Sequence, residues 1–290
     1  MNSKDHKIPF GLKDGHSISA EEADRGGGCN CICSLCDEKL INCKGEIVLP
    51  YFRHESGSDC VGGYESSLHL EAKEILSKIG KIMLPAVYAS IGMERIKIYR
   101  QQLLEFNSDS VFYEKKLKGI RPDLIIEKNG TKLLIEIYVT HKVDENKKKK
   151  VMDMDVSMIE INLSKMKRGM PIDMIRAMLL NELTEKSPKK DIYNNKQWVY
   201  NSKANKITEE VRQYVTEKTI TQIRNPYHHS HYFVYCDIVN NCPKDKYGGD
   251  EFTWNCDSCN YCFSKNSKSV FCTGHHRDAI DKIIQKNIKW

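Results

Sequence analysis

Two carboxylates stand in apolar company near the middle of the chain: Asp123 in RPDLIIEK and Glu136 in TKLLIEIYVTHK. The runs that carry them flank Asn129-Gly130, a dipeptide that favours a tight type I′ turn. The pair is therefore expected on neighbouring strands of one hairpin, on the same side of the sheet. The period of two puts Asp123 with Ile125 on one face, and Glu136 with Tyr138, Thr140 and Lys142 on one face. Carboxylates in hydrophobic strands call for compensation, and a divalent cation between them would provide it. The competing expectation is a structural pair, salt-bridged to Arg121 or a lysine.

A helix precedes this hairpin. From Tyr64 to Ile79 the apolar residues Leu68, Ala72, Ile75, Leu76 and Ile79 recur on one face. Glu65, His69 and Lys73, spaced by fours, form a ladder along the shoulder of that face. Glu65 either points at a partner near the core or caps a solvated first turn, where a carboxylate is favourable in any case. A lone His69 reads equally well as a satisfied boundary histidine.

The 12 cysteines form two groups of six, Cys29 to Cys60 and Cys236 to Cys272, with none between. The N-terminus shows no apolar leader, so export and a disulfide scaffold are not expected, and a cytoplasmic setting is. Clustered thiols with two-residue spacings then read as zinc ligands, one structural ion for each group. The first set is Cys33, Cys36, His54 and Cys60, with Cys29, Cys31 and Cys43 left over. The second is Cys236, Cys242, Cys259 and Cys262, with Cys256 and Cys272 as rivals in a zinc ribbon.

With 40% hydrophobic and 29% charged residues in 290, the composition is that of a globular chain with a packed core. No apolar run is long enough for a membrane span, so no membrane partner is expected. The net charge of +6 is uneven: 7 basic against 10 acidic side chains in 1–62, 18 against 15 in 63–165, and 20 against 14 in 166–290. A positive excess of that size permits polyanion binding without demanding it. MPIDMIRAMLLNEL (170–183) and KITEEVRQYVTEKTITQI (206–223) read as helices, and Lys147 to Lys150 as a solvated helix start. The polar stretch 186–203 reads as a linker, whose Tyr193, Trp198 and Tyr200 could stack on bases or dock the loop to its own domain.

Pro122-Asp123, followed after twelve residues by Glu136, looks like the PD-(D/E)xK nuclease signature. More narrowly, YFRH (51–54), ESSLHLEAK (65–73), RPDL (121–124) and IEIYVTHKVDENK (135–147) resemble the competence-protein CoiA-like family, in which a Cys/His element precedes a nuclease-like domain. The likeness spans about residues 30–165. It implies an α/β (α+β) fold with a PD-(D/E)xK, restriction-endonuclease-like core between an N-terminal and a C-terminal zinc-ribbon-like module. The corresponding divisions are 1–62, a nuclease core at 63–165, a helical segment and linker at 166–230, and 231–290. It also implies an Mg²⁺- or Mn²⁺-dependent deoxyribonuclease, with a role in foreign-DNA processing or phage defence. Asp123 and Glu136 would bind the metal, and Glu65 a second ion or a water.

The pattern departs from the family where a lysine should stand two residues after the second acid: that position is Tyr138. Lys142, Lys147 or Lys73 could supply the cation; alternatively Tyr138, Thr140 or His141 could position the water. The candidate catalytic residues are thus Glu65, His69, Lys73, Asp123, Glu136 and Lys142. The expected partner is DNA, with a protein partner or a second copy compatible. The rival expectation is a catalytically silent, zinc-stabilised nucleic-acid-binding or adaptor protein.

Overall fold

The computed structural model describes residues 7–58, 60, 62–91, 94–99, 101–165, 172–180, 195–224, 235–239, 262–265, 269–273 and 276–286. In chain order come β1 (Phe10–Lys13), β2 (His16–Ser19), β3 (Leu40–Cys43), β4 (Tyr51–His54), α1 (Gly63–Ile79) and β5 (Lys81–Leu84). Next are β6 (Val87–Ile91), β7 (Glu94–Tyr99), β8 (Gln102–Glu105), β9 (Val111–Tyr113), β10 (Leu124–Lys128) and β11 (Thr131–Tyr138). Then follow α2 (Glu145–Asp153), β12 (Ser157–Asn162), α3 (Ile172–Leu180) and β13 (Lys196–Tyr200). Last are α4 (Ser202–Arg212), β14 (Thr216–Arg224), β15 (Tyr235–Val239), β16 (Cys262–Lys265), β17 (Ser269–Cys272) and α5 (Arg277–Lys286).

These elements form two compact units. The first comprises Met1–Pro85 and Gln102–Asn201, the second Ala86–Gln101 and Ser202–Trp290. Residues 1–62 and most of 63–165 therefore fall in one unit, without a division at 62, while 86–101 fall in the other.

A five-stranded mixed sheet, ordered β13-β12-β11-β10-β9, forms the core of the first unit. Strands β9, β10 and β11 run antiparallel in turn; β12 pairs parallel with β11, which requires the crossover through α2. Asn129 and Gly130 both take positive φ, 51° and 74°, as the expected turn between β10 and β11 demands. The central strands are apolar on both faces: Leu133, Leu134, Ile135 and Ile137 of β11, and Met158, Ile159 and Ile161 of β12, are all buried. Ile125, Leu134 and Met158 pack with Val151 of α2 and with Ile120 of the preceding turn.

Helix α1 buries Leu68, Ala72, Ile75 and Leu76, as its periodicity predicts, and ends at Gly80. Gly80 has φ 64° and donates its N–H to Leu76 O at 3.0 Å, and a β-carbon there would lie 2.7 Å from Phe106 O. Only glycine fits both the left-handed conformation and that approach. Gly80→Ala is expected to cost about 1–3 kcal/mol, read as a lower urea midpoint at unchanged m-value.

The N-terminal elements wrap a small core of Ile8, Ala20, Ala23, Leu40 and Phe52, together with Cys29, Cys31 and Cys33. Short pairings, β1 with β2 and β3 with β4, are knitted together by the bridges Ile8↔Phe52, Leu12↔Ile32 and Gly26↔Asn42.

The second unit holds the antiparallel hairpin β6–β7, helices α4 and α5, and a four-stranded antiparallel sheet ordered β15-β14-β17-β16. Helix α4 packs against β6 and against α5.

Two expectations need correction. The stretch 186–203 is not wholly linker, because Lys196–Tyr200 form the edge strand β13, antiparallel to β12. There Trp198 Nε1 donates to Pro85 O at 3.2 Å and Tyr200 Oη to Asp155 at 2.8 Å, so both aromatics dock to their own unit. Tyr193 lies outside the described residues. The predicted helix 206–223 ends at Arg212 and gives way to β14, whose closely spaced Thr and Ile residues favour extended backbone. Among the described residues no helix is long and apolar enough to cross a membrane.

Candidate functional site

The register of the central hairpin sets Leu124 opposite Ile135, so Asp123, one residue before β10, comes opposite Glu136. The two clasp each other through the backbone. Asp123 Oδ2 accepts the Ile137 N–H at 2.7 Å, and the Asp123 N–H is directed at the Glu136 carboxylate. Both side chains are largely buried, yet their acidities diverge. Burial pushes Glu136 up to about 7, helped by the charge of Asp123 and opposed by Lys147. Asp123 feels the same desolvation, but His69, the Ile137 N–H and Lys73 outweigh it and hold its carboxyl below the usual range.

Lys147 is the cation at Glu136: its Nζ lies 2.6 Å from Oε1 and donates to Arg121 O at 3.2 Å. It comes from the first turn of α2, which is capped by Asp144 Oδ1 accepting the Lys147 N–H at 2.7 Å. Lys142, preferred by the strand-face count, is not there. Strand β11 ends at Tyr138, the period of two ends with it, and the exposed Lys142 instead lies 5.5 Å from the Tyr138 ring centre. Lys73 is buried and turned to Glu114, with Nζ 2.7 Å from Oε1, while Arg121 holds the other oxygen of Glu114 at 2.7 Å.

Helix α1 brings Glu65 and His69 to the same strand end. His69 sits between two carboxylates, with Nδ1 3.5 Å from Asp123 Oδ1 and Nε2 3.8 Å from Glu65 Oε1. Thr140 Oγ1 donates to Glu65 Oε2 and lies 2.7 Å from His141 Nδ1. The threonine has one proton and gives it to Glu65, so His141 donates to the hydroxyl oxygen from Nδ1.

Glu160 is a residue that the sequence reading missed. It is 2% exposed, pairs in register with Glu136, and accepts from the Val143 N–H and from Gln197 Nε2, each at 2.7 Å. It thereby pins the turn that leads into α2 and Lys147. The signal was present in MIEIN, a glutamate in an apolar strand, which is the reasoning already applied to Glu136.

The second cluster is Cys33, Cys36, His54 and Cys60, whose ligand atoms all lie within 4.8 Å of one another. Cys33 Sγ is 3.9 Å from Cys60 Sγ and Cys36 Sγ is 3.3 Å from His54 Nε2. A tetrahedral zinc ion requires edges of about 3.8 Å between sulfurs and about 3.5 Å from sulfur to nitrogen. The Leu35 N–H donates to Cys33 Sγ at 3.4 Å, shielding a ligand sulfur. Burial and the neighbouring Cys36 and Cys33 push the Cys60 thiol up to about 12, so ionised thiols need a cation among them. This Cys₃His set can bind a metal ion such as zinc. The surplus cysteines lie outside it: Cys29 and Cys31 are fully buried in the N-terminal core, donating to Leu40 O and Cys29 O respectively, and Cys43 donates to Ile41 O.

Of the C-terminal set, Cys242 and Cys259 lie outside the described residues, as does the rival Cys256. The backbones of Cys236 and Cys262 belong to β15 and β16, and the rival Cys272, at the end of β17, is the backbone partner of Cys262 in the β16–β17 ladder.

Compared with family models, with curated proteins and with solved structures, the chain matches none.

Proposed function

We propose that the chain is a metal-dependent nuclease hydrolysing DNA phosphodiester bonds at the Asp123–Glu136 pair. The observation that carries this reading is the meeting at one strand end of a depressed carboxylate, a raised carboxylate and a lysine from the following helix. The donors are hard oxygens suited to Mg²⁺ or Mn²⁺, and burial, with Asp123 adding to it and Lys147 opposing it, leaves the Glu136 carboxylate favouring a proton or a further cation. When bound, the ion lowers the pKa of a water and neutralises charge developing on the phosphate.

Asp123 and Glu136 would hold the ion, with His69 orienting Asp123 and Glu65 orienting His69. The backbone clasp fixes both carboxylates, so little reorganisation accompanies binding. Lys147 takes the part for which Tyr138 is unsuited: its ammonium can hold a phosphate oxygen or the attacking water. The element order α1, antiparallel strands, α2, parallel β12 supports the reading, since it gives a mixed sheet with its crossover helix α2 packed on β12 and β13, of the kind the motif blocks imply. In this reading zinc fills the Cys33, Cys36, His54 and Cys60 set as a structural ion.

The test is cleavage of single-stranded, double-stranded and branched DNA with Mg²⁺ or Mn²⁺. Asp123→Ala and Glu136→Ala are each expected to lower the rate by about a thousandfold or more, and Lys147→Ala by about a hundredfold. Cutting that survives both carboxylate replacements would sink the site. A catalytically silent DNA-binding core is the second reading, favoured by Tyr138 at the lysine position. DNA bound but never cut by the wild type would select it.

A further inference from the structure

The candidate site is bordered, on the turn before β10 and on helix α2, by cations that its chemistry does not use. The turn between β9 and β10 carries Lys115, Lys116 and Lys118, all exposed, and Arg121 follows. Helix α2 adds Lys148, Lys149 and Lys150 beyond the inward Lys147. Turn and helix are tied together, since Lys150 Nζ donates to Gly119 O and Lys147 Nζ to Arg121 O, each at 3.2 Å. Leu117 and Ile120 anchor the turn on the apolar cluster that contains Val151 of α2. Lys115 covers the Phe112 ring at 4.1 Å, which holds its ammonium near the sheet end.

The nearby acids do little to neutralise this surface. Glu114 is taken by Lys73 and Arg121, Glu127, which feels the charge of Lys115, is paired with Lys132, Asp144 caps α2, and Glu145 pairs with Lys148. The exposed cations thus exceed the exposed acids around a small acidic centre. That pattern suits a chain of phosphates passing over two metal-binding carboxylates, and a folded acidic protein has no matching linear charge spacing.

We propose that Lys115, Lys116, Lys118 and Lys149 form a phosphate track that holds the backbone of a DNA strand across the Asp123–Glu136 end of the sheet. This rests on the nuclease reading, because the strand it carries is the one presented to those carboxylates. The track binds without metal and without sequence preference, since its contacts are ionic and none is a fork aimed at base edges.

The test is fluorescence anisotropy of labelled single-stranded and duplex oligonucleotides in EDTA, titrated at several salt concentrations. Wild type is compared with the quadruple variant Lys115→Gln, Lys116→Gln, Lys118→Gln, Lys149→Gln, and with Glu136→Gln. Each side chain is exposed and Gln keeps the helix propensity of Lys, and thermal melting checks the fold. The quadruple variant is expected to lose tenfold or more in affinity, with the slope of log Kd against log salt falling by about three to four. Glu136→Gln should bind at least as tightly as wild type. An unchanged affinity and slope in the quadruple variant, or no DNA binding by wild type at low salt, overturns the track. Wild type that binds through these lysines yet never cuts with Mg²⁺ or Mn²⁺ would retire the nuclease reading and leave the track standing.

Discussion

Glu136→Gln is expected to make the metal-free protein more stable at pH 8 while removing the proposed cleavage activity. The folded state raises this carboxyl from 4.5 to about 7, chiefly by burial. A carboxyl that binds its proton more tightly when folded lowers stability as pH rises through the window between those two values. Below about 4.5 both states are protonated and the penalty vanishes; above about 7 it is fully present, with a ceiling of about 3 kcal/mol. Glutamine keeps the shape and has no charge to desolvate. The variant should therefore gain up to about 3 kcal/mol at pH 8, shrinking below about 1 kcal/mol at pH 5. Urea unfolding at the two pH values measures this directly. Millimolar Mn²⁺ should narrow the gap by stabilising wild type alone. A glutamine variant no more stable than wild type at pH 8 would mean that Lys147 fully compensates the carboxylate, and that no cation is wanted there.

Loss of the Cys₃His ion is the other large effect expected. Zinc sites of this type contribute roughly 10–16 kcal/mol of apparent binding energy in small zinc peptides. The surrounding N-terminal core is small, so an ion bound there would supply much of its stability. Cys36→Ser and His54→Ala should each release about one equivalent of zinc and lower the melting temperature by about 10 °C or more. Cys43→Ser supplies the contrast, because its thiol lies outside the cluster and bonds to Ile41 O and to the Tyr51 hydroxyl. It should retain full zinc. Metal analysis beside calorimetry separates the cases, and equal zinc in Cys36→Ser and wild type would refute the ligand set.

What could be read from the sequence was what short-range rules govern. The Asn129-Gly130 turn and the period of two placed Asp123 opposite Glu136, and the period of 3.6 placed Glu65, His69 and Lys73 along α1. Cysteine spacing, with His54 and Cys60, was enough to choose four groups that converge in space. Lys147 was named but not preferred to Lys142, because its position depends on where β11 stops and on how Asp144 caps α2. Strand β13 was hidden because its ordering comes from partners distant in sequence. Lys196 reads as a linker lysine, yet it is buried with Nζ donating to Met178 O at 2.7 Å. In β14 the charged residues among Thr and Ile gave a helical reading that strand pairing overrides.

The interleaved connectivity of the two units has a consequence for synthesis. The hairpin β6–β7 leaves the ribosome about a hundred residues before α4, the helix that packs against β6. At roughly 5–20 residues per second that is a wait of about 5–20 s, with a two-stranded ribbon lacking its cover. The first unit must meanwhile close around the excursion, joining Pro85 to Gln102 across it. Vectorial folding, one unit completed before the next begins, is thus closed to the second unit. A nascent chain that has emerged as far as Asn201 can complete its first unit but carries a stranded ribbon, the form most exposed to chaperones and proteases.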